Sequence, residues 1–195
     1  MSEALQTFDA SGLAETVERA RGLLDEGDVI AARLLAAGAY DQAKAAAGYA
    51  ARFVAAERLL GKARQLQGDA LLIEARAKIR LAGDWDAAQA AGKALKGRPK
   101  SLPDENTFTQ QDAGISAKEI HEARKLAAAE GRSPGIVERA IAARLAAGLE
   151  PSRANLRVWQ EAHRRGLSPA DAMDAAFPET VPEQSQDDRR RDGPW

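Results

Sequence analysis

Two histidines are the residues whose chemistry would be easiest to recognise, and neither stands in a catalytic or metal-binding pattern. His121 and His163 have no second histidine and no cysteine at ligand spacing. Glu122 follows His121 directly, but adjacent residues of a helix do not face each other and cannot chelate one ion together. The sequence also lacks a nucleotide-binding glycine loop after a strand and a recognisable nucleophile–base pair. We therefore expect no enzyme activity, no metal, no cofactor and no small-molecule substrate.

A short run of cations has the chemistry to contact nucleic acid. The run Lys96-Gly97-Arg98-Pro99-Lys100 resembles the minor-groove AT-hook, whose core is Gly-Arg-Pro between basic residues, with Lys96 standing where the AT-hook pattern has arginine. An extended segment of this kind is narrow enough to enter an A·T minor groove, whose negative potential attracts arginine. The resemblance implies DNA contacts by Lys96, Arg98 and Lys100. The alternative is a solvated basic linker.

A second group of cations follows a possible turn. Residues Phe108 to Arg124 resemble the two-helix core of helix-turn-helix DNA-binding proteins, with Gln110 standing where those proteins usually have a small residue. The resemblance implies that Gly114 is the turn glycine and that Ala117 to Ala129 is the recognition helix. The cations that would face a major groove are Lys118, His121, Arg124 and Lys125. The alternative is an ordinary capped helix in a bundle.

Composition is that of a globular protein whose helices pack closely. Of the 195 residues 45% are hydrophobic but only 5% are aromatic, and alanine dominates the apolar set. The net charge of −1 hides a basic stretch, since residues 92–148 carry 10 basic and 7 acidic side chains. There is no cysteine, no signal-peptide pattern at the N-terminus and no apolar run long enough to span a bilayer. We therefore expect a cytoplasmic protein.

The first half of the chain has the periodicity of long helices, and no window shows the alternation typical of strands. We therefore predict an all-α fold. Ser11 to Glu26 has apolar residues at helical spacing and ends near Gly27, after which Asp28 can cap a short helix that stops at Gly38. From Tyr40 the helical pattern continues to about Ala82, which would measure roughly 60 Å.

This long pattern contains a heptad repeat. Alanine recurs every seven residues and a larger aliphatic residue lies three positions after each of the first three alanines; the seam is Ala56, Leu59, Ala63, Leu66, Ala70, Ile73 and Ala77. Small seam residues suit a tight antiparallel pair, made either with another helix of this chain or with a second subunit. Gly68 followed by Asp69 predicts a possible break that would turn the helix into a hairpin.

The second half is a set of shorter, clearly punctuated helices. Ser116 and Glu119 form a capping box, and further helices are predicted to begin at Ser133, Pro151 and Ser168. The predicted organisation is a helical association module over residues 1–91, a basic Gly/Pro linker over 92–114 and a C-terminal helical module over 115–177. Its helix-turn-helix-like core covers 106–130, and 178–195 is a disordered tail.

Together, the Ala-rich helix, the Gly-Arg-Pro linker and the segment Glu122-Ala123-Arg124-Lys125 resemble a family of phage- and prophage-encoded helical proteins over residues 30–130. The resemblance implies a role in mobile-element DNA metabolism. The leading hypothesis is a non-enzymatic accessory or regulatory protein that binds double-stranded DNA and self-associates through the long helix. The alternative is an assembly protein that uses the long helix as its binding surface without contacting nucleic acid.

Overall fold

All regular structure in the described part of the chain is helical. The computed structural model describes residues 10–52, 57–94, 109 and 114–167. These residues form six helices, α1 (Ala10–Glu26), α2 (Val29–Ala50), α3 (Glu57–Ala90), α4 (Ala117–Arg132), α5 (Ile136–Ala146) and α6 (Arg153–Arg164). The prediction of an all-α fold, with a long helix followed by shorter ones, is confirmed. None of these helices is long and apolar enough to cross a membrane.

The turn between α1 and α2 follows from three residues. Gly27 has a φ of 95°, a left-handed conformation that favours glycine after a helix. Asp28 then caps α2, its carboxylate accepting a hydrogen bond from the Ala31 N–H at 3.2 Å. A connection this short makes α1 and α2 fold back on each other.

The length of α2 differs from the prediction. The helix does not stop at Gly38 but continues to Ala50. Glycine inside a helix costs up to about 1 kcal/mol, and the burial of α2's apolar face offsets that cost. This face consists of Val29, Ala32, Ala36, Ala39, Tyr40, Ala43, Ala47 and Ala50.

The predicted single helix from Tyr40 to Ala82 is also wrong. The chain leaves the helix after Ala50, and α3 starts at Glu57. The turn is therefore not at Gly68, which lies buried inside α3. A Cβ atom on Gly68 would lie 2.9 Å from Cγ2 of Ile141 and 3.1 Å from Cδ1 of Leu145. Glycine is present because α5 crosses α3 there, with no room for a side chain.

The C-terminal half begins with local signals that the sequence predicts correctly. Ser116 accepts a hydrogen bond from the Glu119 N–H, and the Glu119 carboxylate accepts one from the Ser116 N–H, which completes the capping box. The α4 helix runs past Gly131 to Arg132. The next helix starts later than Ser133, because the carboxylate of Glu130 accepts from the N–H groups of Gly135 and Val137 and so caps α5.

The helices of the two halves are in contact, because α3 packs against α1 and α2 as well as against α4 and α5. One continuous cluster of buried apolar residues reaches from Leu13 in α1 to Trp159 in α6. Ala94 and Ile115, at the described edges of the predicted linker, belong to the same core. The rest of that linker, apart from Gly92, Lys93, Thr109 and Gly114, lies outside the described residues, as do the helix predicted from Ser168 and the predicted tail.

Candidate nucleic-acid interface

One face of α4 forms an exposed row of basic side chains. We call Lys118, His121, Lys125 and Arg132 the α4 ridge. Their spacing of three, four and seven residues keeps them on one side of the helix, within an arc of about 60° and along a length of about 21 Å. All four are exposed. The helix is held by its other side, where Ile120, Ala123 and Leu126 are buried.

The ridge carries no neutralising partner in the described part of the chain. The ion pairs of α4 involve Glu119, Glu122 and Arg124, and none involves a ridge residue. Lysine and arginine side chains at exposed, unpaired positions keep their charge in water and are free to meet an external anion. The ridge can therefore contact phosphate without first breaking an internal ion pair.

Arg124, which the sequence groups with these cations, is held differently. Its Nε lies 3.1 Å from each carboxylate oxygen of Asp86 in α3, and its Nη2 donates a further hydrogen bond to the same carboxylate. The hydrogen bond to Asp86 raises the pKa of Arg124. The guanidinium is thus engaged by α3, whereas Lys118, His121 and Lys125 have no ion pair in the described part of the chain. The DNA contact assigned to these four residues stays a prediction.

The other edge of α4 is bounded by a looser ion pair. Glu122 lies 3.9 Å from Nη1 of Arg157 in α6, with 59% of the arginine side chain exposed. The α4 ridge therefore runs between two ion pairs, Arg124–Asp86 on the α3 side and Glu122–Arg157 on the α6 side. Neither α5 nor α6 covers the ridge residues, which are exposed along the whole helix.

The segment before α4 is described only in part. Gly114 has a φ of 61°, which suits the predicted turn glycine. A Cβ atom there would lie 3.1 Å from Cγ2 of Ile30, so the turn packs against α2. Phe108, Gln110 and the rest of the predicted first helix of the helix-turn-helix lie outside the described residues, except for Thr109.

The predicted minor-groove segment also lies outside the described residues, which include none of Lys96, Arg98 and Lys100. The described segment 57–94 ends just before it, at exposed Lys93 and buried Ala94. Lys93 is therefore the one cation of the predicted basic linker whose environment is described.

In comparisons with protein-family models, curated proteins and solved structures, nothing matches this chain. The interpretation of the site therefore depends on its own chemistry.

The predicted oligomer interface is filled from within the chain. Five of its residues are buried in the single subunit: Ala63, Leu66, Ala70, Ile73 and Ala77. Leu59 is half-buried, and Ala56 lies outside the described residues. The helices that make the most extensive contact are α2 and α3 of the same chain, both with alanine-rich buried faces that allow close approach. The heptad thus packs against a helix of the same chain, which is one of the two partners that the sequence leaves open, and self-association through α3 stays a prediction.

A buried polar cluster on α3 is the feature that the sequence analysis missed. We call Glu74, Lys78, Arg153 and Asp41 the Glu74 cluster. Glu74 is only 3% exposed, and its carboxylate accepts from Nε of Arg153 at 3.0 and 3.1 Å and lies 2.7 Å from Nζ of Lys78. Arg153 also bonds Asp41 at 3.2 Å and stacks 4.1 Å above the ring of Tyr40. This cluster fixes the start of α6 to α2 and α3.

A second set of polar contacts fixes the loop before α6. The buried Gln67 donates from Nε2 to the carbonyl of Pro151 and to the carboxylate of Glu150, both at 3.0 Å. Lys44 pairs with the same carboxylate at 2.9 Å. Gln67 and Glu74 are seven residues apart on α3. The sequence signal for these buried polar contacts is the heptad spacing of the two residues. Two polar residues two helical turns apart on a buried face imply polar partners on the facing element.

Hollows lie between the described helices. A crevice of about 90 Å³ between α3, α4 and α6 is lined by apolar residues such as Leu71 and Leu156 and by Glu74, Lys78 and Arg153. An open groove of about 460 Å³ lies along α3 beside Leu24 and Val137. Neither lining contains serine, threonine, histidine or cysteine. No group of residues in the described part could hold a metal ion.

Proposed function

We propose that this protein is a non-enzymatic DNA-binding accessory or regulatory protein that contacts the phosphate backbone of duplex DNA through the α4 ridge. The observation that carries the proposal is a row of four exposed residues, Lys118, His121, Lys125 and Arg132, with no carboxylate paired to any of them in the described chain. The other cation of α4, Arg124, is held in an ion pair with Asp86.

The dimensions of the ridge suit a nucleic-acid backbone. Each strand of B-DNA presents one phosphate for about every 3.4 Å of rise along the axis while it winds around that axis, so a straight ridge of about 21 Å is long enough to reach more than one phosphate. Lysine acts on phosphate as a flexible point charge, in contrast to the planar, bidentate guanidinium of arginine. Two of the four ridge residues are lysines. We therefore expect the ridge to position the protein on DNA, with weak sequence preference.

The basic linker extends the same proposal. Lys96, Arg98 and Lys100 follow directly on exposed Lys93 in the sequence and would add phosphate or minor-groove attraction. The resemblance to phage- and prophage-encoded helical proteins supports a role in the DNA metabolism of a mobile element. The alternative of an assembly protein that binds through the long helix has less support, because the heptad seam of α3 is buried in its own bundle.

The proposal is tested by measuring fluorescence anisotropy of short labelled duplexes of unrelated sequence as the full-length protein is added. We expect binding to all of them at about 50 mM salt, with affinity that falls steeply towards about 200 mM because counterions compete for the phosphates. Alanine at Lys96, Arg98 and Lys100 should weaken binding on every sequence. Absence of binding at the lower salt concentration would contradict the proposal.

A further inference from the structure

The ion pair between Arg124 and Asp86 lies at the edge of the α4 ridge. Arg124 is three residues from His121, so it lies about 60° beyond the edge of the ridge around α4. Its guanidinium binds the Asp86 carboxylate through Nε and Nη2, one of its bidentate edges. The pair is open to solvent, with 45% of the Arg124 side chain and 46% of the Asp86 side chain exposed. An external anion can therefore reach it.

We propose that Asp86 is a built-in competitor of the nucleic acid, which occupies Arg124 and so weakens the binding of DNA phosphate to this surface. The inference rests on the proposed function. The guanidinium binds carboxylate and phosphate with the same bidentate geometry, so a phosphate can bind through Nε and Nη2 of Arg124 only by displacing Asp86. A phosphate that binds through the Nη1–Nη2 edge instead lies beside the Asp86 carboxylate and is repelled by it. A displaced carboxylate stays beside the phosphates and repels them. Asp86 thus opposes binding both before and after the exchange.

The chain supplies a matched control in Asp84. It is exposed, lies two residues before Asp86 on α3 and has no ion pair in the described part of the chain. Asp84→Asn and Asp86→Asn change the net charge equally and on the same turn of α3, with the two side chains about 160° apart around the helix. Only the second releases a guanidinium, so the two variants, together with the same change in an Arg124→Ala background, separate that release from the general effect of removing a negative charge.

The experiment compares duplex affinity of the full-length wild type, Asp86→Asn and Asp84→Asn across a salt series. We expect Asp86→Asn to bind roughly tenfold more tightly near 0.1 M salt and to steepen the dependence of log affinity on log salt by about 0.9, the value for one added phosphate contact. Asp84→Asn should leave the slope unchanged. In a background that carries Arg124→Ala, Asp86→Asn should have no more effect than Asp84→Asn.

The outcomes separate this inference from the proposed function. If the wild type binds with the expected salt dependence but the two aspartate variants behave alike, Asp86 is no competitor and the proposed function stands. If neither the wild type nor Asp86→Asn binds at low salt, the proposed function fails and the inference with it. If Asp86→Asn folds poorly, an NMR titration of the wild type with duplex DNA gives the test. Displacement of Asp86 predicts a shift of the Arg124 Nε–H signal. An unchanged signal overturns the inference.

Discussion

The Glu74 cluster and the α4 ridge use the same side-chain types in opposite ways. Around Glu74 every charge meets an opposite charge, and the carboxylate at the centre is almost fully buried. Along the ridge the cations are exposed and unpaired in the described chain. Buried charges are tolerated only when they are paired, whereas exposed cations remain available to a ligand. Pairing and burial, more than the number of basic residues, therefore distinguish structural cations from candidate binding cations.

Removing the centre of the Glu74 cluster should have the largest effect on folding. Glu74→Ala leaves Arg153 and Lys78 without their shared partner in a partly buried position, so we expect the free energy of unfolding to fall by about 3 kcal/mol. Urea denaturation at neutral pH measures the loss. Glu18→Ala, which removes an exposed carboxylate paired with Arg21 at 3.6 Å, should change stability by less than about 1 kcal/mol. Equal losses in the two variants would contradict the structural role of the cluster.

The close approach of the two halves at Gly68 should give the next largest effect. An added methyl group would press on Ile141 and Leu145, so Gly68→Ala should lower the free energy of unfolding by about 1–3 kcal/mol through overpacking. Gly61 lies in the same helix with no atom within 4 Å of a Cβ placed there. Gly61→Ala should therefore raise stability by up to about 1 kcal/mol. Thermal melts measure the two changes in melting temperature, which should have opposite signs. Two shifts in the same direction would be inconsistent with the close packing at Gly68.

Acid should weaken the contact between Glu119 and its cations. Burial raises the pKa of Glu119, but hydrogen bonds from Ser116 and the charges of Arg33 and Lys78 outweigh it, so the pKa lies below its ordinary value of 4.5. A lowered carboxylate pKa stabilises the fold above the unfolded value and loses that stabilisation as the pH falls through the folded value.

We therefore expect Glu119→Gln to cost about 1 kcal/mol at neutral pH. The difference in free energy of unfolding between this variant and the wild type should shrink as the pH falls below 4.5. Glu15→Gln, at an exposed position of α1, is the control and should follow the wild type throughout. Urea denaturation over a pH series makes the measurement. A gap that widens on acidification would show that Glu119 does not act through its charge.

The ridge should have the smallest effect on stability. Alanine at Lys118, Lys125 and Arg132 removes exposed side chains without an internal partner in the described chain, and alanine favours the helix. Each substitution should change the free energy of unfolding by less than about 0.5 kcal/mol. Circular dichroism and thermal melting check this. A large fall in melting temperature would mean that these cations stabilise the fold, as the Glu74 cluster does.

Features set by neighbouring residues could be predicted from the sequence. The end of α1 at Gly27, the Asp28 cap and the Ser116–Glu119 capping box each depend on contacts within a few positions. The heptad of α3 also predicts a tight helix pair, although periodicity alone does not say which helix fills the seam. The exposed ridge cations Lys118, His121 and Lys125 were found from their helical spacing, and Arg132 was not singled out.

Features set by distant residues could not be predicted. The cost of Gly38 and Gly68 inside helices was visible, but the burial that offsets it depends on how α2, α3 and α5 pack. The turn after Ala50 lacks a glycine or proline to mark it. Arg153 lies 79 residues from Glu74, and Arg124 lies 38 residues from Asp86. Such pairs become apparent only once the helices are placed.

The most direct test of the α4 ridge as a DNA-binding surface compares two triple variants of equal net charge on one duplex. The ridge triple has alanine at Lys118, Lys125 and Arg132, and the control triple has alanine at Arg19, Arg58 and Lys62, which are exposed on α1 and α3 and have no ion pair in the described chain. We predict that the ridge triple binds at least about tenfold more weakly and that its salt slope falls by about 2.7, or about 0.9 for each lost phosphate contact. The control triple should keep the wild-type slope. Equal slopes in the two variants would contradict the assignment of the α4 ridge as the nucleic-acid surface.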